Sequence, residues 1–440
     1  MTGVRRSASV QSSLWRWVVL LSILSVAGMW TYSERVLIPY QVSDAVAHDR
    51  PRGNLSDLYP RWLGARELLL HGRDPYGAAV SREIQAGYYG RPLDPARRND
   101  PRDEQRFAYP LYVIFWLAPA IGLPFRQVQF GFFWIMLALT SASTLLWIRV
   151  LRWAVPRWFQ ASLLLLTLGS VPVMQGLELQ QMSLLVAGLL AIAITLLMAD
   201  HAVAAGVLLA AASIKPQLVF LLLFWLALWT LADWRHRYRL AASYVLTMGV
   251  LIAASEWCLP HWIPRFWDAI LEYQRYTATV SAIGLMVGRS PGHVLELITF
   301  MVFAAACWNQ RRLAANSEAF AFMVAFALVI TIDVAPTFGL YNEVFLLPGV
   351  LVLVKGWRTI WRRSAADRLL FALAAILLFW PWLASTSLSA LSFVLPRPAV
   401  ERAWAVPFWS VLFLPVAVTA LMLISSYHSF FTAPARPRTS

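Results

Sequence analysis

The sequence predicts an all-α polytopic membrane protein, on three observations. Hydrophobic residues make up 59% of the 440 positions and charged residues only 14%, against about 25% charged in a soluble domain. Apolar runs long enough to cross about 30 Å of hydrocarbon recur along the chain. The 22 tryptophans suit a protein with membrane–water interfaces, where indole rings settle. The formal charge of +14 does not argue for nucleic acid. That partner needs a basic face on a folded domain, and here the arginines fill short gaps between apolar runs, as the positive-inside rule describes.

The elements follow in order. Arg5, Arg6 and Arg16 precede an apolar run from Trp17 to Trp30. Tyr32, Glu34 and Arg35 come next instead of a small-x-small cleavage site, so the run is expected to be an uncleaved first span over 14–32 with its N-terminus in the cytoplasm. Long apolar runs cover 127–148, 181–199, 241–257, 290–308, 369–386 and 404–426. Shorter ones, expected as tilted or broken helices, cover 161–173, 202–214, 216–232, 319–333 and 343–354. Placing the basic gaps at 149–157, 235–239, 311–312 and 358–368 inside gives about twelve crossings, with both ends and a tail over 427–440 in the cytoplasm. One conflict stays open. The run 107–123 contains Pro110 and Pro119, so either it dips in and returns, or it crosses and 161–173 does not.

The first loop, 33–106, carries 12 Arg against 11 Asp and Glu and is expected to lie outside as a folded element with amphipathic helices. Leu58, Trp62, Ala65 and Leu69 recur at helical spacing. Pro60 suits the first turn of that helix and Gly72 its end. Cys258 and Cys307 fall near opposite sides of the bilayer, which argues against a disulfide. Arginine outnumbers lysine so strongly (only Lys215 and Lys355 occur) that a GC-rich bacterial genome, and hence a bacterial inner membrane, is the expected setting.

Four features are candidates for chemistry. Asp57 is either a cap for the helix it precedes or a general base at the membrane face. Lys215 lies between two apolar runs and either snorkels to the interface or meets a lipid phosphate. Glu178, Gln180 and Gln181 break two helices and serve either interhelical hydrogen bonding or a wet cavity. Tyr341, Asn342 and Glu343, with Asp333, lie on the external side, where capping by Asn342 competes with a ligand role. His261 and Trp262 are expected to anchor at the interface. No nucleotide-binding glycine loop, His-x-x-x-His, Cys-x-x-Cys or Gly-x-Ser-x-Gly occurs, so no cofactor or metal is expected.

The order of these motifs resembles a known family. The stretch from Asp57-Leu-Tyr-Pro-Arg61-Trp through Gly72-Arg-Asp-Pro-Tyr76 is similar to the first-loop signature of the polytopic GT-C glycosyltransferases of family eighty-seven. Phe107-Ala-Tyr109-Pro-Leu with Ala118-Pro119, Gln180-Gln181-Met-Ser-Leu-Leu, Ala205-Gly206 to Lys215-Pro216, and Tyr341-Asn342-Glu343 to Pro348 follow in family order over about 55–350. The resemblance implies a GT-C-type fold and inverting transfer of a sugar, typically mannose, from a polyprenyl-phosphate donor to a glycolipid, glycan or protein acceptor outside the membrane. It implies Asp57 as base and Lys215 for the donor phosphate, with Arg61, Tyr109, Gln180, Gln181, Tyr341 and Asn342 as substrate-binding residues. Two departures stand out. Gln180 occupies a position where the family has glycine, and Thr337 to Tyr341 carries no histidine where characterised mannosyltransferases of the family use one. The rival expectations are a lipid-linked saccharide transporter or flippase, an envelope polysaccharide polymerase or ligase, and an inactive binding member. A transporter predicts two related halves with paired broken helices, and no such internal symmetry is visible. A polymerase or ligase usually carries its large external loop late in the chain, whereas here it follows the first span.

Overall fold

The computed structural model describes residues 2–277, 280–336 and 338–430; Thr337 and the Pro/Arg tail at 434–438 lie outside them. Among the described residues every regular element is a helix. The principal helices are α1 (Thr2–Tyr32), α2 (Ile38–Ala47), α3 (Tyr59–His71), α4 (Ala78–Tyr89), α5 (Phe125–Val150), α6 (Arg157–Leu168), α7 (Val171–Glu178), α8 (Met182–Met198) and α9 (Ala202–Ala212). They continue with α10 (Pro216–Leu231), α11 (Trp234–Cys258), α12 (Trp262–Thr277), α13 (Arg289–Gln310), α14 (Glu318–Val334), α15 (Leu347–Lys355), α16 (Ala365–Leu391) and α17 (Leu414–Phe430). Six helical stretches are long and apolar enough to cross a membrane, or seven if α6 and α7, bent by 56° at Gly169–Ser170, form one span. This is an α-helical membrane protein.

Several boundaries differ from those expected. The first span does not end at 32: a π-turn over Ser33–Leu37 carries the helix on into α2. The reason is packing, since Ser33, Val36 and Leu37 are buried and the Ser33 hydroxyl donates to Glu178. The last helix runs on to Phe430, four residues past the apolar run expected to end at 426. The ambiguous run 107–123 forms only a broken helix over Leu111–Ala120, in three short pieces. At 1.5 Å per residue it is about 15 Å long, roughly half of the hydrocarbon thickness.

The basic gaps gather at one end of the bundle. Arg237 donates to the carbonyls of Trp229, Arg311 and Leu313, and Lys355 to the Leu151 carbonyl and Glu318. These bonds link the α5–α6, α10–α11 and α13–α14 turns with the end of α15. Close helix contacts rely on small residues, as in other membrane bundles. A side chain on Gly206 would meet the Leu240 carbonyl and Ser243 of α11 at 2.6 and 2.0 Å, so glycine sets how closely α9 and α11 pack. Cys258 and Cys307 are both unpaired.

The first loop folds as its periodicity predicts. Leu58, Trp62 and Ala65 are buried and Leu69 packs against the same core. Pro60 lies in the first turn of α3. Gly72 closes the helix at φ +63°, a left-handed conformation that glycine adopts without steric cost, and backbone bonds run back to the Glu67 and Leu68 carbonyls. The loop is tied down on both sides. The Trp62 indole donates to the Ala120 carbonyl at 3.2 Å, and the Phe107 ring lies on Gly64. Arg265 pairs with Asp74 at 2.6 Å and Arg106 pairs with Glu272, which brings α12 over the loop.

Candidate functional site

Three breaks in the helices meet under the first loop: the α7–α8 turn, the α9–α10 turn, and the irregular segment ahead of α15. The contacts that join them define the site. The Asp57 backbone N–H donates to the Leu179 carbonyl at 2.9 Å, which pins the start of α3 to the α7–α8 turn. No side chain caps α3, so the capping role for Asp57 does not hold. Its carboxylate instead accepts hydrogen bonds from the Gln181 amide and, at 3.1 Å, from the Tyr88 hydroxyl of α4.

Gln181 is the centre of the arrangement. Its amide nitrogen meets Asp57 while its amide oxygen accepts from the Lys215 ammonium at 3.0 Å. Lys215 is only 5% exposed, so it does not snorkel to an interface. Its second bond goes to the Ser183 hydroxyl at 2.8 Å, and Ser183 in turn donates to the Asn342 side-chain oxygen at 2.6 Å. The Tyr341 ring lies 5.1 Å from the ammonium, and the Tyr109 ring 6.0 Å. The other side of this group is Arg61. It donates to the Asp57 carbonyl, stacks its guanidinium 4.2 Å over Tyr109, and leaves its enclosed Nε without a partner. Two cations, a carboxylate and two aromatic rings therefore share one locus.

The electrostatics follow from burial. Removal from water pushes the Asp57 carboxyl above the usual carboxylate range, while Arg61, the Tyr88 hydroxyl, Lys215 and Gln181 each pull it back. Burial raises Asp103 as well, with the Asp57 charge adding to the effect. A carboxylate of basicity raised by burial is suited to accept a proton from an alcohol. An ammonium one amide group away is suited to hold an anion.

Of the eight residues that the resemblance implies, seven sit in this network: Asp57, Arg61, Tyr109, Gln181, Lys215, Tyr341 and Asn342. Gln180 does not touch Lys215 or the Asp57 carboxylate in any contact seen here. Its oxygen accepts from Ser56 at 2.6 Å and Gln129 at 3.0 Å, and its nitrogen donates to the Leu177 and Glu178 carbonyls. It holds φ +48°, the left-handed region that favours glycine. The four bonds explain how glutamine is tolerated there, and its role is to lock the turn that aims Gln181. Glu178 is separate again, bonded to Ser33.

The late segment also divides. Asn342 faces Ser183 and caps nothing. Glu343 is buried with no partner on Oε1, and Asp333 accepts from Thr419. Trp262 is no interfacial anchor but a core residue stacked edge-on against Tyr112, while His261 is exposed in a left-handed turn. Sequence reasoning missed Tyr88 and Ser183 as members of the site. Ser183 lay within the Gln-Gln-Met-Ser run already singled out, whereas nothing in the sequence pairs Tyr88 with Asp57. Among the described residues no group of three or more His, Cys, Asp or Glu gathers as for a metal ion. A polar cavity of about 190 Å³ lies between Tyr76 and Phe107 of the loop region and Arg265 and Glu272 of α12, and none of the cluster residues lines it.

No family model, curated protein or solved structure matches the chain.

Proposed function

We propose that the protein is a GT-C-type membrane glycosyltransferase of a bacterial inner membrane. It moves a hexose, in the first instance mannose, from a polyprenyl-phosphate donor to an acceptor on the outer face, with inversion. The observation that carries the reading is the single amide of Gln181 bridging Asp57 and Lys215. Inverting transfer from a lipid phosphate needs a base for the acceptor hydroxyl and a cation for the departing phosphate, held a sugar ring apart. Asp57, with its basicity raised by burial, is the base; Lys215, aided by Arg61, receives the phosphate charge. Tyr109 and Tyr341 offer faces for the sugar ring.

A twelve-crossing topology accommodates this. It counts α1, α5, the α6–α7 pair, α8 to α11, and α13 to α17, with the broken helix at 111–120 dipping in without crossing. Both ends and all the arginine-rich turns then lie inside, and Asp57, Lys215 and Tyr341 lie outside. The 11 residues of α9 and 9 of α15 are too short to reach both surfaces, at about 1.5 Å per residue. In this topology Lys215 follows the outer end of α9, on the side where a polyprenyl phosphate would be presented.

The test is turnover of a polyprenyl-phospho-mannose donor by purified protein in the presence of membrane glycolipid extract, wild type against Asp57→Asn. The amide keeps the size and the Gln181 contact but cannot take a proton, so transfer is expected to fall by about 10²- to 10⁴-fold. Unchanged turnover in Asp57→Asn would refute the assignment. Accumulation of the saccharide lipid on one side of proteoliposomes with no donor consumed would favour a flippase instead.

A further inference from the structure

Away from the Asp57–Lys215 cluster, a second and larger space opens. A groove of about 740 Å³ runs between α1, α6, α15, α16 and the start of α17, within the size range of small-molecule sites. Its walls are almost wholly aliphatic and aromatic. Leu21, Leu24, Phe379 and Leu383 on its rim are exposed on the bundle surface, so in a bilayer the groove opens sideways to lipid. One end lies at Val18, Phe159 and Val354, beside the arginine-rich turns; the other lies at Glu343 and Ser410.

The polar end is the informative one. Four hydroxyls in the wall are turned back onto the chain just before them, Ser22 to Val18, Ser162 to Trp158, Thr167 to Leu163 and Ser170 to Thr167, while those of Ser25 and Thr386 make no such bond. Glu343 Oε1 and Ser410 Oγ, by contrast, are buried in residues 4% and 5% exposed and have no partner. The Glu343 side chain lines the groove and its Oε1 has no partner in the protein; a buried acceptor left unsatisfied costs about 1–3 kcal/mol, so a hydroxyl that reaches this carboxyl group from the groove would be held there. No lysine or arginine lines the groove. A phosphate there would meet a carboxyl group and no cation, which excludes a lipid phosphate at this end. Trp409, next to Ser410, is 61% exposed and stacks with Trp380, which sets this end at the depth where indoles mark the membrane interface.

We propose that the groove binds one single-chain, uncharged lipid alcohol, its hydroxyl donating to Glu343 and its hydrocarbon chain lying along α1 and α15 toward the cytoplasmic end. The site is separate from the phosphate-binding locus, and one short helical turn, Leu340–Leu346, divides them: Tyr341 and Asn342 face Lys215 and Ser183, while Glu343 lines the groove. An occupant would therefore brace the turn that carries two residues of the candidate site.

The test uses the purified full chain in detergent and three probes of one chain length: geranylgeraniol, its methyl ether and its phosphate, counted as bound equivalents by native mass spectrometry. Wild type is expected to bind one equivalent of the alcohol about tenfold or more tighter than the ether, which can accept but not donate, as expected for one buried acceptor left unmet. Glu343→Leu is expected to bind alcohol and ether alike, and Val350→Trp, which fills the groove from its apolar wall, to bind neither. The phosphate is expected to bind wild type at the other locus and to be lost in Lys215→Met, which keeps alcohol binding. Equal affinity of wild type for alcohol and ether overturns the proposal, and that comparison needs no variant. A preference that survives in Glu343→Leu, or alcohol binding that survives in Val350→Trp, overturns it too. None of these readings depends on glycosyl transfer, so failure of the proposed activity and failure of this site are distinguishable.

Discussion

Replacing Lys215 with methionine separates a structural ammonium from a ligand-binding one. In the folded chain the ammonium makes two hydrogen bonds, to Gln181 at 3.0 Å and Ser183 at 2.8 Å. Hydrogen bonds to a charged group contribute about 1.5–3 kcal/mol each. Against this stands the cost of keeping an ammonium out of water, several kcal/mol at a position only 5% exposed. Methionine fills nearly the same volume without that cost, and Ser183 keeps its bond to Asn342. The one group left unpaired is the Gln181 oxygen, at about 1–3 kcal/mol. The net change in stability is therefore expected to stay within about 2 kcal/mol. Phosphate binding, in contrast, loses a buried charge partner, about 1.5–3 kcal/mol, or roughly 10- to 150-fold in Kd. The assay is a titration of detergent-solubilised wild type and Lys215→Met with a polyprenyl phosphate, alongside thermal unfolding of each. Unchanged affinity in a folded variant would refute the phosphate role. A loss of more than about 4 kcal/mol of stability would show that the ammonium holds the three helix breaks together instead.

Other outcomes follow from the same geometry. Asp57 must be ionised to act as a base, so transfer is expected to rise with pH through a pKa held above the ordinary carboxylate value by burial. The Tyr88 hydroxyl stabilises the ionised form, so Tyr88→Phe is expected to move the acid limb of the pH–rate profile to higher pH, and a limb that stays put or moves down contradicts this. Gln180→Ala removes four hydrogen bonds from a residue held in the left-handed region, where alanine is strained as well. It is expected to lower stability by about 1–3 kcal/mol and to reduce turnover through misplacement of Gln181, checked by denaturation and by kcat at saturating donor. Gly206→Leu places a side chain against the α11 backbone and is expected to lower the unfolding temperature measurably. Wild-type stability there would mean that α9 and α11 separate at little cost.

The membrane class, the folded first loop, the α3 helix from its Pro60 start to its Gly72 stop, and the absence of a Cys258–Cys307 bridge follow from the sequence alone. Each depends on period, composition or local backbone preference, which act over a few residues. Seven of the eight side chains that the resemblance implies meet in the structure, whereas Glu178, Glu343, Asp333, His261 and Trp262, singled out as well, do not join them. What the seven do there was not legible in the sequence. Asp57 could not be separated from a helix cap, nor Lys215 from a snorkelling side chain, until the Gln181 amide was seen between them. The sequence also joined what the fold separates: Gln180 turns away from its neighbour Gln181, and Glu343 turns from Asn342 into a different cavity. Tyr88 reaches Asp57 only because α4 packs back on α3. Adjacent residues on a turn point in different directions and distant helices meet by packing, so contact between side chains is fixed by tertiary structure. The local pattern sets only which residues are available to meet.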